Sequence, residues 1–186
     1  MAEGGGAGAA EGGTGTRVTI IVDGANVVGS RPDGWWRDRA GAAVRLHDNL
    51  AKLAERGEQG IPAAELSASE PAATGGREPG HDPGTGQAGS AALVLVTVLL
   101  VLEGAARRAV PRIAERARAA NGDDGAGGRG EVEVVSAPGS GDDEIVRQAQ
   151  RLAGHCIVVT ADRELRRRCV AAGARVAGPS WLYGLL

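Results

Sequence analysis

Apolar runs in this sequence repeatedly lead into acidic residues. Asp23 directly follows the run 18–22, and Gly24 and Asn26 come after it. If the apolar runs are parallel strands, the acids that follow them lie at the carboxyl edge of one sheet, where open α/β proteins bind ligands. The pattern therefore predicts an acidic cluster at that edge. The acids after the later runs are Glu103, Asp142, Asp143, Asp162 and Glu164.

Converging carboxylates repel one another. Two of them about 4 Å apart repel by about 4 kcal/mol at an effective dielectric constant of about 20, so a cluster must spread out, take up protons or hold a cation. Oxygen ligands without neighbouring His or Cys favour Mg²⁺ or Mn²⁺, which activates water and stabilises a phosphodiester transition state. Helix capping is the competing explanation for Asp142, Asp143 and Asp162, and a solvated loop for Glu103.

Alternating strands and helices must position these acids. Val-rich apolar runs indicate buried strands, and apolar residues near helical spacing indicate the helices between them. The alternation predicts a three-layer α/β domain whose central, mostly parallel sheet has about five strands. Asp23 to Asn26 are expected to form a turn, Ser140 or Asp142 to cap a helix, and Pro111 to start, kink or split one. The predicted strands are 18–22, 93–102, 132–135, 156–160 and 174–177, and the predicted helices are 40–56, 105–120, 142–152 and 162–172.

The chain length of 186 residues is that of one domain. Residues 1–16 are Gly, Ala, Glu and Thr without periodicity and are predicted to be a disordered tail. The domain is expected to span 17–186, with a disordered insertion at 57–90, where large apolar residues are scarce. Because the entropy of loop closure grows slowly with length, deleting 57–90 is expected to leave the melting temperature nearly unchanged.

Composition and charge exclude several classes of protein. A net charge of -2 provides no overall attraction to nucleic acid, so such binding requires a local basic patch. Cys156 and Cys169 are too few and too far apart for a zinc site. The N-terminus has no signal-peptide pattern, and the longest apolar run, 91–102, is shorter than the roughly 20 residues that cross a membrane. A cytoplasmic protein without a membrane partner is expected.

A candidate RNA-binding segment follows the first acid. Trp35 and Trp36 lie among arginines in the polar stretch 30–39, where they are placed to stack on bases while the guanidinium groups pair with phosphates. The alternative is that one Trp fills the core and the other covers a helix. The candidate RNA-binding residues are Arg31, Trp35, Trp36, Arg37, Arg39, Arg107 and Arg108.

The stretch Val22-Asp23-Gly24-Ala25-Asn26-Val27-Val28-Gly29 resembles the opening motif of NYN domains, which have the PIN-like ribonuclease fold, and especially their YacP-like branch. Glu103, Asp142 and Thr160-Ala161-Asp162 occupy the places of the family's later acids. The resemblance covers 17–186 apart from 57–90, which is itself a departure. Two further departures are Glu103 and Glu164, which stand where Asp is common.

The resemblance implies a three-layer PIN-like domain and an Mg²⁺- or Mn²⁺-dependent endoribonuclease. It implies that Asp23, Asp142 and Asp162 bind the metal and that Asn26 orients Asp23 or a phosphate. The expected partner is RNA, with structured RNA and the ribosome as open choices. The predicted catalytic residues are Asp23, Asn26, Glu103, Asp142 and Asp162, and the predicted metal ligands are Asp23, Glu103, Asp142, Asp143, Asp162 and Glu164.

Two other functions compete with this one. One is a non-catalytic RNA-binding module on the same fold, and the other is a small-nucleotide phosphohydrolase. Better-known phosphate sites are absent from the sequence. Ala25 stands where a haloacid dehalogenase needs a second Asp, and the chain has neither the Gly-Lys-Ser/Thr of a P-loop nor a Gly-x-Gly-x-x-Gly motif after the first strand.

Overall fold

The central sheet has five parallel strands and one short antiparallel strand. The computed structural model describes residues 17–66, 93–121, 132–152 and 154–186, so the predicted tail 1–16 lies outside the described residues. β1 lies in the middle between β3 and β5, β6 pairs with β5, and β3 pairs with both β4 and β2. The strands are β1 (Arg17–Asp23), β2 (Ile61–Pro62), β3 (Leu93–Leu102), β4 (Val132–Ser136), β5 (Cys156–Val159) and β6 (Arg175–Ala177).

Helices cover both faces of the sheet, because side chains alternate along each strand. On β1, Ile20 and Val22 pack with one core cluster, and Ile21 packs with the other. The predicted three-layer α/β architecture with a mostly parallel sheet is confirmed. The helices are α1 (Gly24–Gly29), α2 (Arg39–Glu58), α3 (Ala63–Leu66), α4 (Val110–Asn121), α5 (Gly141–Arg151), α6 (Arg163–Ala171) and α7 (Pro179–Leu185), and short 3₁₀ helices span Trp35–Arg37 and Gly104–Ala109.

The first part of the predicted disordered insertion is folded. α2 continues to Glu58, and residues 61–66 form β2 and α3. Ile61 pairs antiparallel with Val94 on β3 and is fully buried, and Leu66 is also buried. The boundary predicted at residue 57 is therefore wrong, because two isolated apolar residues find partners that only the tertiary structure supplies. Because deleting 57–90 would remove both buried residues, an unchanged melting temperature is no longer expected. Residues 67–90 of that prediction lie outside the described residues.

Ile61→Ala is expected to lower the free energy of unfolding by about 3 kcal/mol, because it leaves a cavity where a fully buried side chain stood. Urea denaturation measures the change. Val170→Ala is the matched control, since Val170 is 56% exposed on α6 and its truncation is expected to change stability by less than about 0.5 kcal/mol. Equal effects of the two substitutions would contradict a buried β2.

Other boundaries differ from the prediction for local reasons. Residues 24–29 form a helix and not a turn, because Asp23 accepts a hydrogen bond from the Asn26 N–H at 3.0 Å and so caps α1. Pro111 lies in the first turn of α4, where proline is tolerated. No helix in the described ranges is long and apolar enough to cross a membrane.

Candidate functional site

Four carboxylates approach one another at the carboxyl edge of the sheet. Asp23 closes β1 and Glu103 directly follows β3. Asp142 lies in the first turn of α5, which follows β4, and Asp162 caps α6, which follows β5. We call Asp23, Glu103, Asp142 and Asp162 the four-carboxylate group. Their proximity follows from the parallel register of the strands, since each strand delivers its acid to the same edge.

Asp23 is the most buried member of the four-carboxylate group, with 8% of its surface exposed. One of its oxygens accepts the Asn26 N–H, and the other accepts the hydroxyl of Thr160 at 2.9 Å. Burial raises the pKa of Asp23, and the negative charges of Asp142 and Glu103 raise it further against the two hydrogen bonds. The fold thus holds a desolvated carboxylate in a fixed orientation.

Asn26 and Thr160 join the ends of β1 and β5. The side-chain oxygen of Asn26 accepts the Ala161 N–H at 2.8 Å. Thr160 is fully buried, and its hydroxyl oxygen also accepts the Asp162 N–H at 3.1 Å. Each residue therefore holds Asp23 and the segment that carries Asp162 in one arrangement. Thr160 was not predicted as a site residue, although a hydroxyl at the end of a buried strand just before an acid is a usable signal.

Glu103 follows β3, but its side chain caps α5, the helix that follows β4. Its carboxylate accepts the N–H of Gly141 at 2.7 Å, at the start of α5. Ser140 occupies the N-cap position but makes no side-chain capping bond, so the prediction that Ser140 or Asp142 caps this helix is corrected. A helix N-terminus favours negative charge, and this contact ties β3 to the segment that carries Asp142.

Asp142 has no hydrogen-bond or ion-pair partner among the described residues. Partial burial raises the pKa of Asp142, and the charges of Asp162, Glu103 and Asp143 raise it further, while Arg168 opposes them. Asp162 accepts the Leu165 N–H at 2.8 Å with one oxygen, and its other oxygen has no donor among the residues that the structure describes. Unused carboxylate oxygens therefore remain within a group whose members repel one another.

Asp143 and Glu164 lie at the surface in ion pairs. Arg168 donates to Asp143 at 2.5 Å, and Arg167 pairs with Glu164 one helical turn away. The side chains of Asp143 and Glu164 are 71% and 62% exposed. These two predicted ligands thus already have cationic partners, in contrast to Asp142.

The donor atoms of the four-carboxylate group fit a hard divalent cation by type. All are carboxylate oxygens, which Mg²⁺ and Mn²⁺ prefer. Burial and the neighbouring acids raise the pKa values of Asp23 and Asp142, so a bound cation would stabilise their ionised forms. Within the described ranges, however, no three His, Cys, Asp or Glu side chains are arranged as a metal site. The chemistry of the donors fits, whereas a closed ligand set is not formed.

The two tryptophans differ in their surroundings. Trp36 is 54% exposed, and its ring meets that of Trp35 edge-on at 6.2 Å between centroids. Trp35 is half-buried and lines a cavity of about 170 Å³ together with Val28 and Glu103. The guanidinium of Arg39 lies 5.4 Å from the centre of the Trp35 ring. Trp35 thus presents an aromatic surface beside one acid of the four-carboxylate group.

The remaining candidate arginines are spread around the same edge. Arg31 stacks on Tyr183, and Arg107 donates to the hydroxyl of Ser136 at 3.0 Å, at the end of β4. Arg37 and Arg108 are exposed in the two 3₁₀ helices. These arginines therefore lie on the segments that follow β1 and β3.

Asp142→Asn is expected to raise the free energy of unfolding at pH 7, by less than about 1 kcal/mol because the group is partly solvated. The folded-state pKa of Asp142 lies above the ordinary value of an Asp side chain, so folding disfavours the ionised form. As the pH falls through that raised pKa, the folded protein takes up the proton first and the cost disappears. The advantage of the variant should therefore shrink as the pH falls and be lost once the carboxyl is protonated in both the folded and the unfolded protein.

Urea denaturation at pH 7 and pH 4 measures this difference. Asp143→Asn is the matched control, because the carboxylate of Asp143 is next to Asp142 in the chain but is exposed and paired with Arg168. The control is expected to show no gain at either pH. A lower stability of Asp142→Asn than of the parent at pH 7 would contradict the repulsion that the structure indicates.

The fold and site define a three-layer α/β domain with an acidic group at the carboxyl edge of its parallel sheet. No protein-family model matches the chain, and no curated protein matches it. Among solved structures, the chain is similar to Rae1 (YacP) from Bacillus subtilis, with 16% identity and a TM-score of 0.45. The similarity covers 89% of this chain and 72% of that chain.

Proposed function

We propose that this protein is a metal-dependent endoribonuclease that hydrolyses RNA phosphodiester bonds at the four-carboxylate group. The observation that carries the proposal is the buried, hydrogen-bonded Asp23, whose pKa is raised by burial and by the neighbouring acids. Stability alone disfavours such an arrangement, and perturbed carboxylates at a ligand-binding edge are typical of functional sites.

The proposed cofactor is Mg²⁺ or Mn²⁺, held by Asp23, Glu103, Asp142 and Asp162. When bound, the ion would lower the pKa of water and stabilise the negative charge that develops on the phosphodiester. Asp143 and Glu164 complete the proposed set of metal ligands at its periphery, where they pair with Arg168 and Arg167.

The protein's own groups would keep the acids oriented. Thr160 and Asn26 act on the reaction through Asp23, so we assign them as positioning residues. Asn26 also accepts the N–H of Ala161, which follows the end of β5. Glu103 fixes the start of α5 and hence the position of Asp142. Pre-organised groups of this kind reduce the rearrangement needed in the transition state.

RNA is the proposed substrate and partner, with structured RNA and the ribosome as its candidate contexts. Trp35 offers a stacking surface at a cavity that Glu103 also lines, and Trp36 offers an exposed one. Base stacking on an aromatic side chain contributes roughly 1–3 kcal/mol per base and tolerates any sequence. The proposed phosphate contacts around them are Arg31, Arg37, Arg39, Arg107 and Arg108.

One observation favours a second candidate, a non-catalytic RNA-binding module on the same fold. Among the described residues, no three potential ligands are arranged as a metal site. A module of this kind would bind RNA through the same aromatic and basic residues and would not cleave it.

Cleavage of a labelled, partly structured RNA with Mg²⁺, Mn²⁺ or EDTA tests the proposal. The parent protein is expected to cut in either metal and not in EDTA, and Asp162→Asn is expected to cut at least about 100-fold more slowly. Asn is also a good N-cap, so α6 should remain intact. Glu115→Gln, at an exposed position on α4, is the control for loss of one negative charge.

Each outcome separates the two functions. Metal-dependent cutting that Asp162→Asn lacks and Glu115→Gln retains supports the nuclease. RNA that is bound by all three proteins and cut by none supports the binding module. Cutting that is equally fast in EDTA would contradict the proposed metal site.

A further inference from the structure

A polar cavity of about 220 Å³ lies between α1, α2 and α7. It is separate from the cavity beside Trp35, although Val28 lines both. Two of its lining residues are arginines from different elements, Arg31 after α1 and Arg45 on α2. The polar residues that line it are Arg31, Asp33, Arg45, Asn49 and Tyr183.

The guanidinium of Arg31 is held in place. It lies 3.5 Å from the centre of the Tyr183 ring, and the Tyr183 hydroxyl donates to the carbonyl oxygen of Val27 at 3.0 Å. Val27 follows Asn26, so this chain of contacts begins next to the four-carboxylate group. A guanidinium fixed by stacking keeps its planar set of N–H donors available and loses little freedom when it binds an anion.

The guanidinium and amide donors in this cavity have no acceptors among the described residues. Within the described part of the chain, the side chains of Arg31, Arg45 and Asn49 make no hydrogen bond or ion pair. Asp33, the acid of the cavity, accepts the N–H of Trp35 at 3.1 Å. Five arginines elsewhere in the described structure do pair with acids: Arg56, Arg116, Arg147, Arg167 and Arg168.

Charge and shape together select an anion. Arg31 and Arg45 contribute two positive charges and Asp33 one negative charge, which leaves the lining with a single net positive charge. Arginine and a side-chain amide are suited to donate to the oxygens of one phosphate. A phosphodiester carries the single negative charge that this lining would balance.

We propose that this cavity binds an internal phosphodiester of the RNA strand, away from the bond that is cut. Arg45 and Asn49 donate from α2 and Arg31 donates from its stacked position on Tyr183. The inference rests on the proposed function, since it assumes that RNA reaches this edge of the protein. It adds Arg45, Asn49 and Tyr183 to the binding surface, and these residues hold the strand in register with the four-carboxylate group.

Binding of a single-stranded, 5′-hydroxyl RNA oligonucleotide in EDTA tests the proposal without cleavage. Fluorescence anisotropy over a series of salt concentrations gives the Kd and its salt dependence. Arg45→Ala is expected to raise the Kd about fivefold and to reduce the slope of log K against log salt by about 0.7, the contribution of one phosphate contact. Arg45 is exposed on a helix, where alanine is well tolerated.

Arg17→Ala is the matched control, because it removes an equally exposed arginine from the amino end of β1. Its Kd and salt slope are expected to match those of the parent. Tyr183→Phe keeps the ring under Arg31 but loses the bond to Val27, so its Kd should rise less than that of Arg45→Ala. Arg45→Lys keeps the charge and should restore most of the salt slope.

If Arg45→Ala and Arg17→Ala bound RNA equally well, the proposed phosphate site would be overturned. The proposed nuclease function would be unaffected. An absence of RNA binding by the parent protein would overturn both proposals. If the parent protein bound RNA but did not cleave it, only the nuclease proposal would be contradicted. The two proposals therefore fail in distinguishable ways.

Discussion

Asp23→Asn is expected to slow RNA cleavage by about 1,000-fold or more and to leave the fold intact. Asp23 is the buried member of the four-carboxylate group, and two hydrogen bonds fix both of its oxygens. Replacing one oxygen by an amide removes the charge that the proposed metal requires. It also places a donor where an acceptor stood, so no other group in the described structure can substitute for it.

The fold should tolerate this change. Asn is as good an N-cap as Asp, so the bond from the Asn26 N–H can persist. The new amide can donate to the Thr160 hydroxyl, which already accepts from Asp162. Loss of a desolvated charge whose pKa is raised should keep the stability at pH 7 equal to or above that of the parent.

Single-turnover cleavage and urea denaturation, measured side by side, test both halves of this prediction. Thr160→Val is a second variant, since it keeps the side-chain shape and removes the bond to Asp23. We expect it to slow cleavage less than Asp23→Asn, and to shift the pH dependence of the rate toward higher pH because the hydrogen bond no longer lowers the pKa of Asp23. An unchanged cleavage rate in Asp23→Asn would refute the assignment of the site.

The strands were predictable because the sequence pattern indicates that they are buried. Continuous apolar runs mark strands that are covered on both faces, and the bounds of β3 agree with the predicted 93–102. The positions of Asp23 and Glu103 at the carboxyl edge followed directly, since each comes immediately after such a run. Parallel register then brings their charges into mutual interaction.

Two short elements, β2 and α7, were not predicted, because tertiary contacts and not local propensity stabilise them. β2 has two residues and depends on its pairing with Leu93 and Val94 of β3. α7 begins at Pro179 and is held by Leu182 in the core. Isolated segments of this length do not form stable structure in water.

The same reason explains which site residues were missed. Neither Thr160 nor Arg45 was predicted as a site residue, and their roles depend on partners that are distant along the chain. Glu103 was predicted as an acid of the site, but its bond to Gly141 requires knowledge of how β3 and α5 are placed. Periodicity reports which face of an element is buried, and it does not report which polar groups meet across elements.

Gly24→Ala is expected to lower the free energy of unfolding by about 3 kcal/mol and to slow RNA cleavage by about 100-fold. A methyl group at this position would lie 2.7 Å from the backbone carbonyl oxygen of Val101 and 2.9 Å from a methyl carbon of Leu102. Val101 belongs to β3 and pairs with both of its neighbouring strands, so that carbonyl cannot move aside. The start of α1 must shift instead, and Asp23 and Asn26 shift with it.

Gly184→Ala is the matched control for this variant. Gly184 is also helical, but a methyl group there meets no atom within 4 Å. Alanine at such a position should stabilise the protein by roughly 0.5–1 kcal/mol and leave cleavage unchanged. If Gly24→Ala retained the stability and cleavage rate of the parent, α1 would not be pressed against β3. The glycine after Asp23 is thus required for the close approach of a helix to the sheet that orients the acid.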